Sequence, residues 1–252
     1  MGRGQKQLAN PGRCRFAAWK EPPRDHLSLD ALHVWRVPLR ECAQAADWRL
    51  LSKQELERAQ RFAHDRDREA WVQTRSWWRR ILSRHLGIPA ADIEVRQGPL
   101  GAPYPVPFIA QNLSHTRGLA LVIVAPVRRD GVGIDVERIR AIDTQALCAH
   151  TYSASEELRY RHVSAHASNN HFFQVWTRKE AWLKAMGCGL RLPMPLFSVS
   201  LEDPGPISSA RLPAGMTEGW ATCRLQLHAP YVAAIAYKGE LPTIHLWSLD
   251  EP

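Results

Sequence analysis

Two short stretches carry residue types from which a reaction centre can be built. In Trp176-Thr177-Arg178-Lys179-Glu180-Ala181-Trp182-Leu183-Lys184, the residues Trp176, Glu180 and Lys184 recur at i,i+4 steps and so line one side of an α-helix. A carboxylate and an ammonium then point the same way. The same spacing also suits an exposed ion pair worth only a few tenths of a kcal/mol. In Gly131-Val132-Gly133-Ile134-Asp135-Val136-Glu137, alternation at period two sends Val132, Ile134 and Val136 to one face of a strand and Asp135 and Glu137 to the other. Two like charges sharing a face need a cation between them or water around them. Together with Glu180 they make three carboxylates, an oxygen-only set of the kind Mg²⁺ prefers. The alternative is a solvated pair of acids on an edge strand.

The elements that must position these groups follow from local pattern. The helix carrying Glu180 is expected over residues 172–186, ended by Gly187, Gly189 and Pro193, which favour a left-handed cap and forbid continuation. Upstream, residues 32–37 read as a strand closed by Pro38, and residues 43–62 as helical with a break near Ser52. Trp71, Trp78, Leu82 and Leu86 share a face of a second long helix capped by Gly87, with Arg75 and Arg79 on a neighbouring face. Those arginines suit either a solvated surface or a phosphate-binding rim. Residues 93–96 read as a short strand, and Asn112-Leu113-Ser114-His115 as a loop before a buried strand over 119–125. His115 suits a turn residue bonded to its own backbone as well as a ligand contact. Residues 126–130 are short enough to join that strand to the acidic one as an antiparallel hairpin. Residues 140–170 look polar and irregular, with His162 and His166 exposed, and four strands are expected over 197–201, 221–228, 231–237 and 243–247. No internal sequence repeat is visible.

At 252 residues the chain can bury a sizeable core, as one large domain or two smaller halves. Ten Trp imply that much of that core is aromatic. The balance of 33 Lys and Arg against 25 Asp and Glu gives a formal charge of +8, which favours an anionic partner: nucleic acid, a phosphorylated cofactor or an acidic protein. Five scattered Cys without a CxxC pair suggest reduced thiols rather than a zinc site. The first residues lack the apolar core of a signal peptide, and the longest apolar run, 119–125, is too short to span a bilayer. A soluble cytoplasmic protein without membrane contact is expected.

Gly133-Ile134-Asp135-Val136-Glu137 followed by Trp176 to Lys184 closely resembles the paired signature of the 4′-phosphopantetheinyl transferases of the Sfp type. The similarity extends to Arg61-Phe62, Asn112 to His115 and Gly187-Cys188-Gly189-Leu190, so it spans roughly residues 32–237. The resemblance implies an α+β fold of two similar α/β halves related by a pseudo-twofold axis, with coenzyme A and Mg²⁺ in the cleft between them. The halves fall at residues 29–125 and 126–252, after an irregular lead-in over 1–28. It also implies transfer of the phosphopantetheine arm of coenzyme A to a serine of an apo acyl, peptidyl or aryl carrier protein, releasing adenosine 3′,5′-bisphosphate.

Carried over by motif position, Asp135, Glu137 and Glu180 hold the metal. By the same resemblance Glu180 would accept the serine proton, directly or through a water, and Lys184 would neutralise the departing phosphate. Ser114 and His115 would contact the 3′-phosphate region of coenzyme A, with Arg58 as a further phosphate ligand, Lys179 near the nucleotide, and Asp135 and Lys184 also at the coenzyme. One departure is Gly101-Ala102-Pro103, where the family usually carries a lysine in place of Ala102. A monomer whose basic surface meets an acidic carrier is expected. The rival class is a nucleic-acid-binding module, which accounts for the basic charge and the tryptophans and leaves the three acids unexplained.

Overall fold

The computed structural model describes residues 18–23, 27, 31–97, 103–105, 109–126, 131–162 and 165–249. Most of the lead-in over 1–28 and the departure at Ala102 lie outside them. β1 (Leu32–Pro38) leads through helices α1 (Ala45–Trp48), α2 (Lys53–Ala59) and α3 (Asp65–Leu86) and the short pair β2 (Val95–Gln97) and β3 (Pro103–Pro105). The hairpin β4 (Ile109–Thr116) and β5 (Leu119–Pro126) follows. Then come β6 (Val132–Arg138), helices α4 (Thr144–Thr151), α5 (Ala154–Tyr160) and α6 (Ala165–Ala185), and strands β7 (Ser198–Val199), β8 (Gly205–Ser208), β9 (Trp220–Leu225), β10 (Tyr231–Lys238) and β11 (Ile244–Ser248).

Two main sheets result, ordered β11-β1-β5-β4 and β6-β10-β9-β8-β7. The expected hairpin between β5 and β6 does not form. Both edges of β5 are already taken by β1 and β4, so β6 pairs with β10 in the other sheet. The last strand, β11, crosses back and lies parallel to β1, so the two sheets do not divide the chain into two consecutive segments. Within the described part of the lead-in, Lys20 bridges Trp247 of β11.

Alternation at period two builds three layers of core. Leu32, Val34, Leu121 and Ile123 of the first sheet pack in one cluster with Ile134, Val136, Leu225 and Ile235 of the second. The opposite face of the first sheet, with Trp35, Val122 and Val124, takes Trp78, Ile81 and Leu82 of α3. The outer side of the second sheet takes α6, through Ala181, Trp182, Leu183 and Ala236. In β6 the apolar residues therefore face the other sheet, and Gly133, Asp135 and Glu137 share the face turned to α6.

The two sheets are wired alike. β1-β5-β4 and β6-β10-β9 have the same strand order, and in each the first strand leads through a short capped helix and then a long helix to the other two. Ser52 caps α2 in a reciprocal box with Glu55, and Ser153 caps α5 in a reciprocal box with Glu156. Both glutamates are buried and paired with the long helix: Glu55 with Arg75 (3.2 Å) and Arg79 (2.7 Å), Glu156 with Lys179 (2.6 Å). Arg75 and Arg79 thus belong to neither a solvated face nor a phosphate rim. Arg79 also donates to the carbonyls of Ala90 and Ile93, and Arg75 lies over the rings of Trp71 and Trp78.

Among the described residues of the stretch 140–170, expected to be irregular, α4, α5 and the start of α6 form. Asp143 caps α4 by accepting from the N–H groups of Gln145 and Ala146, and the box at Ser153 starts α5. Apolar periodicity misses such short helices because polar caps, rather than an amphipathic stripe, set them up. Cys42, Cys148 and Cys188 are free thiols. The expectation of reduced thiols fails at Cys223, which is disulfide-bonded.

Candidate active site

The acids of β6 sit where the two sheets meet. A Cβ at Gly133 would overlap the carbonyl oxygen of Ala181, so only glycine lets α6 lie this close to the strand. That approach brings Lys184, one turn beyond Glu180, onto Asp135: the Lys184 ammonium donates to Asp135 Oδ1 at 2.6 Å and to Ser114 Oγ at 2.9 Å. The Ser114 hydroxyl in turn donates to Asp135 Oδ1 at 2.7 Å. Asp135 is 4% exposed and Ser114 6% exposed. The solvated-edge reading therefore fails for Asp135.

Ser114 reaches this point from the first sheet. The stretch Asn112 to His115 was expected as a loop, yet it lies inside β4, paired residue for residue with β5 and closed by the turn at Gly118. Polar residues are tolerated there because β4 is the last strand of its sheet. Its outer edge meets β6, where the backbone N–H of Arg138 donates to Thr116 Oγ1 at 3.2 Å.

Glu137 and Glu180 are the other two acids, and each is influenced by the charge of Asp135. Burial, and next the repulsion of Asp135, push the Glu137 carboxyl above its usual range, eased by Arg140 and Lys184. Arg140 donates to Glu137 Oε2 at 3.1 Å and lies over the ring of Phe173. Burial and then Asp135 raise Glu180 to about 7, eased by Lys184 and raised further by Glu137. A carboxyl poised near neutrality accepts and returns a proton with little driving force lost. His115 is held below its ordinary value by burial and then by Lys184, partly opposed by Asp67 and Asp135, so its imidazole is neutral at pH 7.

The donors suit a hard divalent cation: all are carboxylate oxygens, two are destabilised as anions by burial and mutual repulsion, and Asp135 Oδ2 is buried without a hydrogen-bond partner. Among the described residues no three His, Cys, Asp or Glu side chains are gathered about one point. On Asp135 the place of a counter-ion is held by Lys184.

Other residues singled out in the sequence are placed differently. Arg58 is exposed at the end of α2, its guanidinium over the Trp71 ring. Lys179, expected near the nucleotide, is fully enclosed: its ammonium donates to the carbonyls of Thr151, Met194 and Phe197 and pairs with Glu156. Adjacent residues on a helix point about 100° apart, so when Glu180 faces β6 its neighbour is turned into the α5 side. Sequence reasoning missed Arg140 and the link from Ser114 to Asp135. Gly133 was the available signal, since a strand glycine marks close backbone approach.

A sequence profile described as the 4′-phosphopantetheinyl transferase superfamily matches residues 131–236, the span that holds β6, α6 and all three acids. The chain is 32% identical over 227 residues to the 4′-phosphopantetheinyl transferase HetI of Nostoc sp., covering 87% of this chain and 92% of that protein. It is 29% identical over 169 residues to a 4′-phosphopantetheinyl transferase of Bacillus subtilis, covering 66% and 72%. To the 4′-phosphopantetheinyl transferase Sfp of Bacillus subtilis strain 168 it is 25% identical over 160 residues, covering 63% and 70%. With a relative matched over nearly its whole length and the family's acidic strand and helix meeting at one seam, this chain belongs to the 4′-phosphopantetheinyl transferase superfamily.

Proposed function

We propose that the protein transfers the 4′-phosphopantetheine arm of coenzyme A to a serine hydroxyl of an apo carrier protein, with Mg²⁺ as the metal. The observation that carries this reading is the contact of Lys184 with Asp135 at 2.6 Å, beside Glu180 and at the seam where β4 brings in Ser114 and His115. The bond broken is the phosphoanhydride of coenzyme A, and the bond formed joins its phosphorus to the serine oxygen. Adenosine 3′,5′-bisphosphate leaves with the electron pair.

Asp135, Glu137 and Glu180 are the residues we assign to the metal, which when bound offsets charge on the diphosphate. Glu180, raised to about 7, is our candidate to take the serine proton, directly or through one water. Lys184 offers an ammonium to the departing phosphate. His115, neutral and beside Lys184, is suited to donate a hydrogen bond to a phosphate oxygen without adding charge, and Arg58 is retained as a more distant phosphate ligand. Lys179 is not carried into the site.

We further assign the two wired-alike units to residues 29–125 and 126–252, with β11 of the second contributed to the first sheet, and infer a monomer in the cytoplasm. The formal charge of +8 favours a carrier with an acidic docking face, which speeds encounter and makes it salt-sensitive. Incubating a panel of apo carrier proteins with the enzyme, coenzyme A and Mg²⁺ tests the reading. One carrier or more should gain the mass of a single phosphopantetheine. If none gains mass while the protein shifts polynucleotides in a gel, the transferase reading fails.

A further inference from the structure

Two of the three acids assigned to the metal already carry a cation from the chain itself. Lys184 directs one N–H to Asp135 Oδ1 and another to Ser114 Oγ, and Ser114 donates to that same oxygen. Arg140 holds Glu137. Asp135 thus has one oxygen saturated by two donors, and its other oxygen is buried without a partner. Three elements, β4, β6 and α6, converge on this one carboxylate.

We propose that Lys184 is an internal stand-in for the metal: in the protein without coenzyme A its ammonium neutralises Asp135, positioned by the Ser114 hydroxyl, and a divalent ion must displace it. This rests on the assignment of Asp135, Glu137 and Glu180 to the metal. Metal entry is then an exchange of cations rather than the filling of an uncompensated acidic hole. An ammonium and a dication repel when both lie against one carboxylate. Lys184, on a flexible four-carbon stem, is therefore released to pair with an anion only after the metal is seated. Ser114 acts here through Asp135 and Lys184, as a positioning residue and not as a phosphate ligand.

The test uses Mn²⁺ as the probe, titrated into the full-length protein without coenzyme A, with free Mn²⁺ read by electron paramagnetic resonance. Lys184→Met should bind Mn²⁺ about tenfold tighter than wild type, because the competing positive charge is gone. Lys184→Arg, which keeps the charge, should stay close to wild type. Unchanged, weaker or undetectable Mn²⁺ binding by Lys184→Met overturns the proposal.

A second readout needs no variant. Acetylation of Lys184 by an amine-reactive ester, mapped by mass spectrometry against exposed Lys53, should accelerate when Mg²⁺ is added, and an unchanged ratio counts against the exchange. Carrier modification by wild type is scored separately. A wild type that modifies a carrier while Lys184→Met gains no Mn²⁺ affinity removes the stand-in and leaves the transferase. The reverse pattern supports the stand-in and removes the transferase.

Discussion

Asp135 is the residue on which hydrogen bonding, burial and repulsion all converge. It accepts from Ser114 and Lys184 and raises both Glu137 and Glu180. Asp135→Asn keeps the shape and removes the charge, so turnover on an apo carrier should fall by on the order of a hundred- to a thousandfold. Initial rates at saturating coenzyme A and Mg²⁺ measure this, and a rate near wild type would remove Asp135 from the site. Asp135, Glu180 and Lys184 were legible because each lies on a locally periodic element. The partner of Ser114 was not, because it sits 21 positions away and depends on β4 lying against β6.

At the scale of elements, α6 does two jobs on opposite sides. One side presents Glu180 and Lys184 to β6. Another anchors the helix through Lys179, whose ammonium is enclosed by three carbonyls and by Glu156. Lys179→Met should therefore destabilise the protein by about 3 kcal/mol, since it leaves a buried carboxylate without its cation. Urea unfolding measures the loss, and the double variant Lys179→Met with Glu156→Gln should recover part of it. If Lys179 instead served the nucleotide, coenzyme A affinity would fall with stability unchanged.

The N-terminal part of α6 also carries His171, hydrogen-bonded to the Tyr152 hydroxyl at 3.1 Å and packed against Tyr160. Burial lowers its pKa from the ordinary 6.5. A histidine with a depressed folded value stays neutral while the unfolded chain takes up a proton. Its contribution is thus complete above pH 6.5 and is lost as pH falls towards the folded value. Thermal midpoints should drop on acidification through that range, and His171→Phe should drop less. Equal slopes in the two proteins would discount His171.

For the whole molecule the decisive feature is the return of β11 to the first sheet. Leu246 packs in the core shared by both sheets, and the backbone of β11 covers the edge of β1. A chain ending after Lys238 exposes that edge and opens that core, so it should be largely insoluble or lose cooperative unfolding. A soluble truncated protein with a sharp melt would show that the two sheets hold without it. Arg75, Arg79, Arg178 and Lys179 are all buried and hold elements together through Glu55, Asp203 and Glu156. Among the described residues no helix is long and apolar enough to cross a membrane.

The sequence by itself determined what is local: the apolar and acidic faces of β6, the i,i+4 pairing of Glu180 with Lys184, the helix stop at Gly187, and most strands of the second sheet. These follow from periods of 2 and 3.6 residues, which any short window reveals. Tertiary structure alone decided that β5 and β6 part into different sheets, that β11 joins the first, that Asn112 to His115 is strand, and that Lys179 is sealed while Lys184 is not. Each of those outcomes depends on which edges and buried charges are still unmatched once distant segments have paired.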